Sequence, residues 1–409
     1  MMYDAIVVGA RCAGSPTAML LARRGYRVLL VDRASFPRDT LSTHYVHQPG
    51  VARLRRWGLL DEVVATGCPP ARRMTFDVGP FALAGTPPPA HGADAAYAPR
   101  RHLLDQILLE AAAAAGAEVR ERFSVGEILM DGGRVTGIRG RAAGGATVVE
   151  HARIVIGADG MGSRVARAVG APTSNARPGR TCAYYTYWSG LQLDDGPELY
   201  PRDGRMVIAG PTNDGQAVVT AFWPRHEFHG VRADVEGSFL EAAELAPSLA
   251  ERLRAGERAD RFYGTAQLPF FLRRPYGPGW ALVGDAGYHK DPITAQGIGD
   301  AFRDAELLAE AIDAGFSGRR ALEDALVDYG RRRDEHVRPM YEFTYRLAAL
   351  EPPSPDMQAL FAALRENREQ TDRFFGAVAG TVAMADFFSP ENIGLILSGA
   401  DCDAAMAPA

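Results

Sequence analysis

The chain has 409 residues, enough for two or three packed cores at roughly 100–200 residues each. Hydrophobic residues make up 47% and charged residues 23%, the balance of a globular protein rather than a disordered or fibrous one. A formal net charge of −5 is a weak negative field, which argues against a nucleic-acid groove and against a polybasic membrane surface.

Four cysteines (Cys12, Cys68, Cys182 and Cys402) stand far apart with no C-x-x-C pair. Neither a zinc ribbon, nor a disulfide scaffold, nor any metal site is expected, and a reducing cytoplasm is the expected location. The chain opens MMYDAIVVGA with no basic region, and no stretch reaches ~18 uninterrupted apolar residues, so neither a leader nor a membrane span is expected.

Tyr3 to Val8 is a short β-branched apolar run and reads as a buried parallel strand that stops at Gly9. A helical pattern follows from Gly14 to Arg24, with Leu20 and Leu21 facing inward. A second strand, Arg27 to Val31, ends in Asp32, which Arg33 follows. A strand, glycine turn, helix and second strand with an acidic tip form a Rossmann-type dinucleotide unit. Backbone N–H groups at the helix start stabilise a diphosphate, glycine lets the backbone come close, and the carboxylate accepts from ribose hydroxyls. The fingerprint G-x-G-x-x-G reads here as Gly9-Ala10-Arg11-Cys12-Ala13-Gly14, so Arg11 holds the middle glycine position. Its guanidinium is expected to offset the lost space by lying beside the diphosphate. Cys12 is expected to be a small residue packed in the turn.

Further along, Arg100 to Ala115 reads as a helix, followed by short strands at Val119–Phe123, Gly126–Met130 and Arg134–Arg141. Ile154 to Arg164 is a strand, a polar turn containing Asp159, and a helix start. A second domain is expected to draw on Asp77 to Leu83 and on Thr181 to Tyr263, in which Thr181 to Trp188, Arg205 to Ala209 and Gln216 to Trp223 alternate as strands of one antiparallel sheet, with a helix at Val235–Arg254 over one face. Tyr185 and Tyr187 fall on one side of their strand, Tyr184 and Trp188 on the other, and one pair should line a cavity. Trp280 to Val283 is again a strand, ending in Gly284-Asp285. His289, Lys290, Asp291 and Pro292 follow, and a helix opens at Gly297-Ile298-Gly299 and runs to Ala314. After a Pro-Pro-Ser-Pro breaker, helical stretches are expected at Met357–Arg365 and Arg368–Met384.

Three of these segments, in this order, resemble the flavoprotein hydroxylases of the para-hydroxybenzoate hydroxylase type, whose relatives are the flavin halogenases and geranylgeranyl reductases. They are the glycine turn, a DG segment (Gly157-Ala158-Asp159-Gly160 with Ser163) and a GD segment (Gly284-Asp285 with Pro292 and Gly297). Arg101-His102-Leu103-Leu104-Asp105 resembles that family's R-x-x-L-D helix start, whose arginine contacts the flavin. The closing arginine of the DG motif is replaced by Ala166.

The resemblance implies an α/β fold: a Rossmann-like FAD-binding domain (1–76, 97–180 and 265–350), an antiparallel-sheet substrate domain (77–96 and 181–264), and a helical C-terminal region (351–409). It implies that FAD is held by Gly9, Arg11, Cys12, Ala13, Gly14, Asp32, Arg33, Arg101, Asp159, Gly284, Asp285 and Pro292. Asp285 would bind a ribityl hydroxyl, and the N–H groups of Gly297, Ile298 and Gly299 would face the flavin pyrimidine ring, where the helix dipole favours the reduced anion. The alternative for Asp159 is a carboxylate that holds its own turn through backbone hydrogen bonds. His44, His47 and Gln48 lie where these families pass the chain beneath the flavin. His44, His47, His289, Tyr185 and Tyr187 are the candidates for a catalytic or substrate contact, with Trp223, Arg225 and His226 at the end of a neighbouring strand.

The implied activity is that of an FAD-dependent monooxygenase. It would insert one atom of O₂ into an apolar or aromatic small molecule through a flavin C4a-hydroperoxide, with NADH, NADPH or a separate flavin reductase as the source of electrons. Phe36-Pro37-Arg38 resembles the alkene reductases of the geranylgeranyl reductase type, the alternative reading, although their Y-x-W-x-F-P signature appears only as Ala221-Phe222-Trp223-Pro224. A halogenase is a third reading, which Asp291-Pro292 echoes without any W-x-W-x-I-P.

Overall fold

The computed structural model describes residues 2–399; Cys402 lies outside them. The apolar runs expected near the amino terminus pair as a parallel sheet. Tyr3–Val8 lies between Val28–Val31 and Thr147–Gly157, with Glu118–Arg120 beyond the one and Trp280–Leu282 beyond the other. Strands that are almost wholly buried this way need cover on both faces. Gly14–Ala22, Arg101–Ala114 and Gly297–Phe316 supply one layer, packing Met19, Leu21, Leu104, Leu108, Phe302 and Leu308 into a single core. The hairpin Ser124–Asp131/Arg134–Arg141 covers the other side.

Register sets the site. Val8 is paired with both Val31 and Gly157, and Gly157 with Leu282. The turns that follow these strands, with Gly9, Asp32, Asp159 and Asp285, therefore open on one edge of the sheet. The crevice beyond the carboxyl ends of parallel strands is where such sheets bind ligands.

The second sheet is mostly antiparallel, in the order Glu257–Arg258, Thr181–Ser189, Gln216–Pro224, Arg205–Pro211, Glu198–Arg202, Met74–Asp77 and Ala82–Gly85. Alternation sorts its faces. Tyr184, Trp188, Val207, Val219 and Trp223 pack beneath Phe239, Leu249 and Leu253 of the covering helices. Ala183, Met206 and Phe222 lie on the opposite face against Leu268, Ile293 and Leu350, and Tyr185, Tyr187 and Val218 form a neighbouring group. Ile293 follows Pro292, so this second face lies over the segment that leads into the Gly297 helix.

Two expected helices differ, and so does one segment of the second domain. The helix expected at Val235–Arg254 is two helices, Val235–Glu244 and Pro247–Ala255. Ala246, forced out of the helical region by the proline after it, sits at φ −123° and ψ 81°. The segment Asp77–Leu83, assigned to the second domain, lies in a hairpin of Met74–Asp77 and Ala82–Gly85 turned at Val78-Gly79-Pro80-Phe81, whose first strand straddles the expected 76/77 boundary. The helix expected to reach Met384 stops at Ala379, where Gly380 takes a left-handed φ of 80°. The tail helices set Phe361, Phe374, Phe375 and Phe387 against Met74 and Leu83, covering the far edge of the second sheet. No helix among the described residues is long and apolar enough to cross a membrane.

Candidate functional site

The amino-terminal turn is built on close backbone approach. A Cβ on Gly14 would fall 1.7 Å from the carbonyl oxygen of Gly9, and one on Gly9 would fall 2.4 Å from that of Ala158. Asp32 spans the turn, accepting from the N–H of Ala10 at 2.8 Å and from that of Ala34 at 2.7 Å. Each of its oxygens keeps a lone pair for a further donor. Arg33 is exposed beside it.

Arg11 does not hang free. Its guanidinium donates to Asp105 at 2.5 Å and to the carbonyl of Arg38 at 3.3 Å, and lies 5.3 Å from the centre of the Phe36 ring. Asp105 is fully buried and also takes a forked bond from Arg101 at 2.9–3.1 Å. One carboxylate thus orients two arginines at the opening of the turn. Cys12 is packed there as expected; burial pushes its thiol far up, and its Sγ lies 3.3 Å from Asp105. A thiol kept protonated is inert.

Asp159 serves its own turn. It accepts from the hydroxyl of Ser163 and from the N–H groups of Arg164 and Val165, and Ser163 caps the short helix after it. Asp285 behaves differently: it is exposed at the end of the Trp280–Leu282 strand and accepts no hydrogen bond among the described residues.

The helix Gly297–Phe316 opens on the same crevice. Gly297 is exposed, and a Cβ built on Gly297 or on Gly299 would meet no heavy atom within 4 Å. Empty space in front of two N-terminal helical residues, with unsatisfied N–H groups, is a cradle for an acceptor. Gln296, which precedes them, donates to the carbonyl of Val378 at 2.7 Å, so the tail buttresses this turn.

Beside the cradle run His44 and His47, both buried. His44, at a left-handed φ of 50°, meets the Tyr187 hydroxyl through Nε2 at 2.8 Å. Burial lowers its pKa to about 3 against the pull of Asp39, and burial lowers that of His47 to about 4. Both imidazoles are neutral at neutral pH. His47 must then donate from Nε2 to the carbonyl of Thr294 at 3.2 Å, since a carbonyl only accepts. Burial pushes Tyr185 up to about 12 and Tyr187 higher still.

Tyr185 and Tyr187 point toward His44, and Tyr184 and Trp188 point into the helix-covered core. Sequence reading did not single out Arg100, Asp39 or Asp260. The Arg100 guanidinium lies 3.8 Å over the Tyr187 ring, 3.0 Å from Asp39 and 3.6 Å from Asp260. These residues come from three separate segments with no local pattern to mark them.

His289 and its neighbours are turned inward. His289 donates from Nδ1 to the carbonyl of Pro269 at 2.5 Å and stacks on Phe271. Lys290 is paired with Asp300. Asp291, which burial raises to about 6, holds the Thr181 hydroxyl and the Ile293 N–H. Arg225 and His226 form a one-turn helix after the Gln216–Pro224 strand, outside this group.

A parallel sheet with its phosphate-type turn, an unpaired carboxylate and an open helix start along one crevice, roofed by an antiparallel sheet, defines a dinucleotide-dependent flavoprotein. The FAD binding domain family matches residues 2–267. The chain belongs to that family, within the flavoprotein hydroxylase superfamily, and is an FAD-dependent oxidoreductase. A digeranylgeranylglycerophospholipid reductase of Methanopyrus kandleri is 26% identical over 379 residues, 89% of this chain and 91% of that one. The kynurenine 3-monooxygenase of Stenotrophomonas maltophilia is 30% identical over 332 residues, 74% of this chain and 70% of that one. The solved structure of the myxobacterial chondrochloren halogenase CndH superposes with a TM-score of 0.79 at 25% identity, covering 97% of each chain. The residues present fit FAD: the tight turn, the free carboxylate of Asp285 and the open positions at Gly297 and Gly299 all leave room and partners for it.

Proposed function

We propose that this chain is a monooxygenase that inserts one oxygen atom of O₂ into an apolar or aromatic small molecule, with NADH or NADPH as the source of hydride. Bound FAD supplies the electron transfer between nicotinamide and oxygen, chemistry that side chains do not perform. In this reading the backbone of Gly9 to Gly14 holds the diphosphate, Asp32 and Arg33 the adenosine end, and Asp285 the ribityl chain. Arg101 contacts the flavin, and the N–H groups from Gly297 to Gly299 stabilise negative charge at the ring edge. Residues 1–76, 97–180 and 265–350 form the cofactor-binding part, and 77–96 with 181–264 the substrate-binding part.

The observation that carries this reading is the chemistry of the ring-side wall. His44 and His47 are neutral, and Tyr185 and Tyr187 hold their protons more tightly than free phenols. Val218 packs with the two tyrosines, and Met206 and Phe222 form the adjoining apolar group with Ile293. Such a wall excludes water and orients a hydroxyl or ring through hydrogen bonds and stacking, as oxygen transfer requires. The reductase reading draws on the extent of the match to the Methanopyrus kandleri enzyme.

Turnover under ¹⁸O₂ separates the two. Label in the product supports the oxygenase; conversion without oxygen, with a gain of two hydrogens, overturns it in favour of the reductase. Anaerobic bleaching of the flavin by NADH or NADPH alone tests the direct reductant.

A further inference from the structure

Two segments that border the cradle are tied together by a buried ion pair. Lys290 lies between the Gly284-Asp285 turn and Pro292, and its Nζ donates to Asp300. Asp300 sits in the first turn of the Gly297–Phe316 helix, its own N–H on the carbonyl of Gln296 at 2.9 Å. Its second oxygen accepts from Arg303 at 2.7 Å, and Arg303 donates onward to Asp304 at 2.8 Å. Against burial, which works the other way, Lys290 and Arg303 hold the Asp300 carboxyl well below the usual range.

Stability does not account for a lysine here. Desolvating each charge costs several kcal/mol, and an apolar replacement of a buried pair is often neutral or stabilising. Electrostatics gives a better account. A carboxylate in the first helical turn suits the helix dipole, yet it opposes any negative charge placed off the amino end of the same helix. Asp300 does both, and Lys290 brings compensating positive charge from outside the helix.

We propose that Lys290 is a positioning residue that cancels the Asp300 charge at the Gly297 helix start and so lets that start stabilise the extra negative charge of reduced FAD. The proposal rests on the reading that FAD meets the chain at this turn.

The test is the midpoint potential of bound FAD in the holoenzyme, read by spectroelectrochemical titration, with FAD affinity followed separately by fluorescence quenching. Lys290→Met is expected to shift the potential negative and Asp300→Asn to shift it positive. The double variant should return toward the parent, and Lys290→Arg should stay near it. A purely structural pair would move both single variants in the same direction or not at all, and either result overturns the proposal. If Lys290→Met sheds its FAD, Asp300→Asn decides: a positive shift supports the proposal, and an unmoved or negative one overturns it. A parent protein that takes up no FAD would instead overturn the underlying reading.

Discussion

The Nε2 of His44 and the hydroxyl oxygen of Tyr187 lie 2.8 Å apart, between rings within 8° of parallel. This contact joins the loop after the second parallel strand to the Tyr185–Tyr187 face of the second sheet. Tyr187→Phe keeps the ring, its stack and the Arg100 guanidinium above it, and removes only the imidazole's partner. The Nδ1 of His44 already has no partner among the described residues. The variant therefore leaves a buried histidine without a hydrogen bond, at a cost of about 1–3 kcal/mol. For a chain of 409 residues this corresponds to a drop of about 1–3 degrees in Tm for Tyr187→Phe. An unchanged Tm would mean that the pair contributes no stability in solution.

The same histidines make stability depend on pH. His44 and His47 have folded values near 3 and 4 against an unfolded value of 6.5, so the unfolded chain binds more protons between those limits. Stability from these groups is complete above about pH 6.5 and is lost as pH falls toward 4 and 3, by roughly 1.4 kcal/mol per pH unit for each group that has passed below its unfolded value. Asp291 has the opposite sign: raised from 3.8 to about 6, it favours the folded state at low pH and loses that contribution as pH rises through 6. Denaturant midpoints measured from pH 4 to 8 should therefore rise with pH for the parent. The rise should be shallower in a variant with His44→Phe, and equal slopes would reject the assignment.

Much of the cofactor crevice was legible from residue order, because a parallel strand, its glycine turn and its acidic tip are local patterns. Gly9, Asp32 and Asp285 reach one sheet edge through registers that apolar runs alone specify. At Ala246 and Gly380 the helical periodicity runs on through a proline and a glycine, and the backbone preferences of those two residues, not the periodicity, end the helices. The grouping of Arg100, Asp39 and Asp260 with Tyr187, and the Lys290–Asp300 pair, depend on loop paths and on packing between sheets. No spacing encodes those. Asp159 shows the reverse limit: the motif marks the residue but not whether its carboxylate faces a ligand or its own turn.

Asp159→Ala should act on the fold. Its carboxylate takes one hydroxyl and two backbone N–H groups, a capping arrangement whose loss costs about 0.5–2 kcal/mol. The apoprotein should melt earlier, while FAD affinity at a temperature where the variant is folded should change less than twofold. A selective loss of FAD affinity with an unchanged melting temperature would move Asp159 to the cofactor.

Gly299→Ala and Asp285→Ala should act on the cofactor and spare the fold. A Cβ at Gly299 meets nothing in the chain, and alanine is favoured over glycine in a helix interior by about 0.5–1 kcal/mol, so the apoprotein should be as stable as the parent or slightly more so. Asp285 is exposed and unbonded, and its removal should alter stability by no more than about 0.5 kcal/mol. If FAD occupies the space before Gly299 and hydrogen-bonds Asp285, each variant loses affinity. For Asp285 a charged hydrogen bond of about 1.5–3 kcal/mol corresponds to roughly 10- to 100-fold. Fluorescence quenching of FAD by the two apoproteins, set beside their melting curves, makes the comparison. Parent-like FAD affinity in both variants would place the cofactor elsewhere in the crevice and leave the open helix start without an occupant.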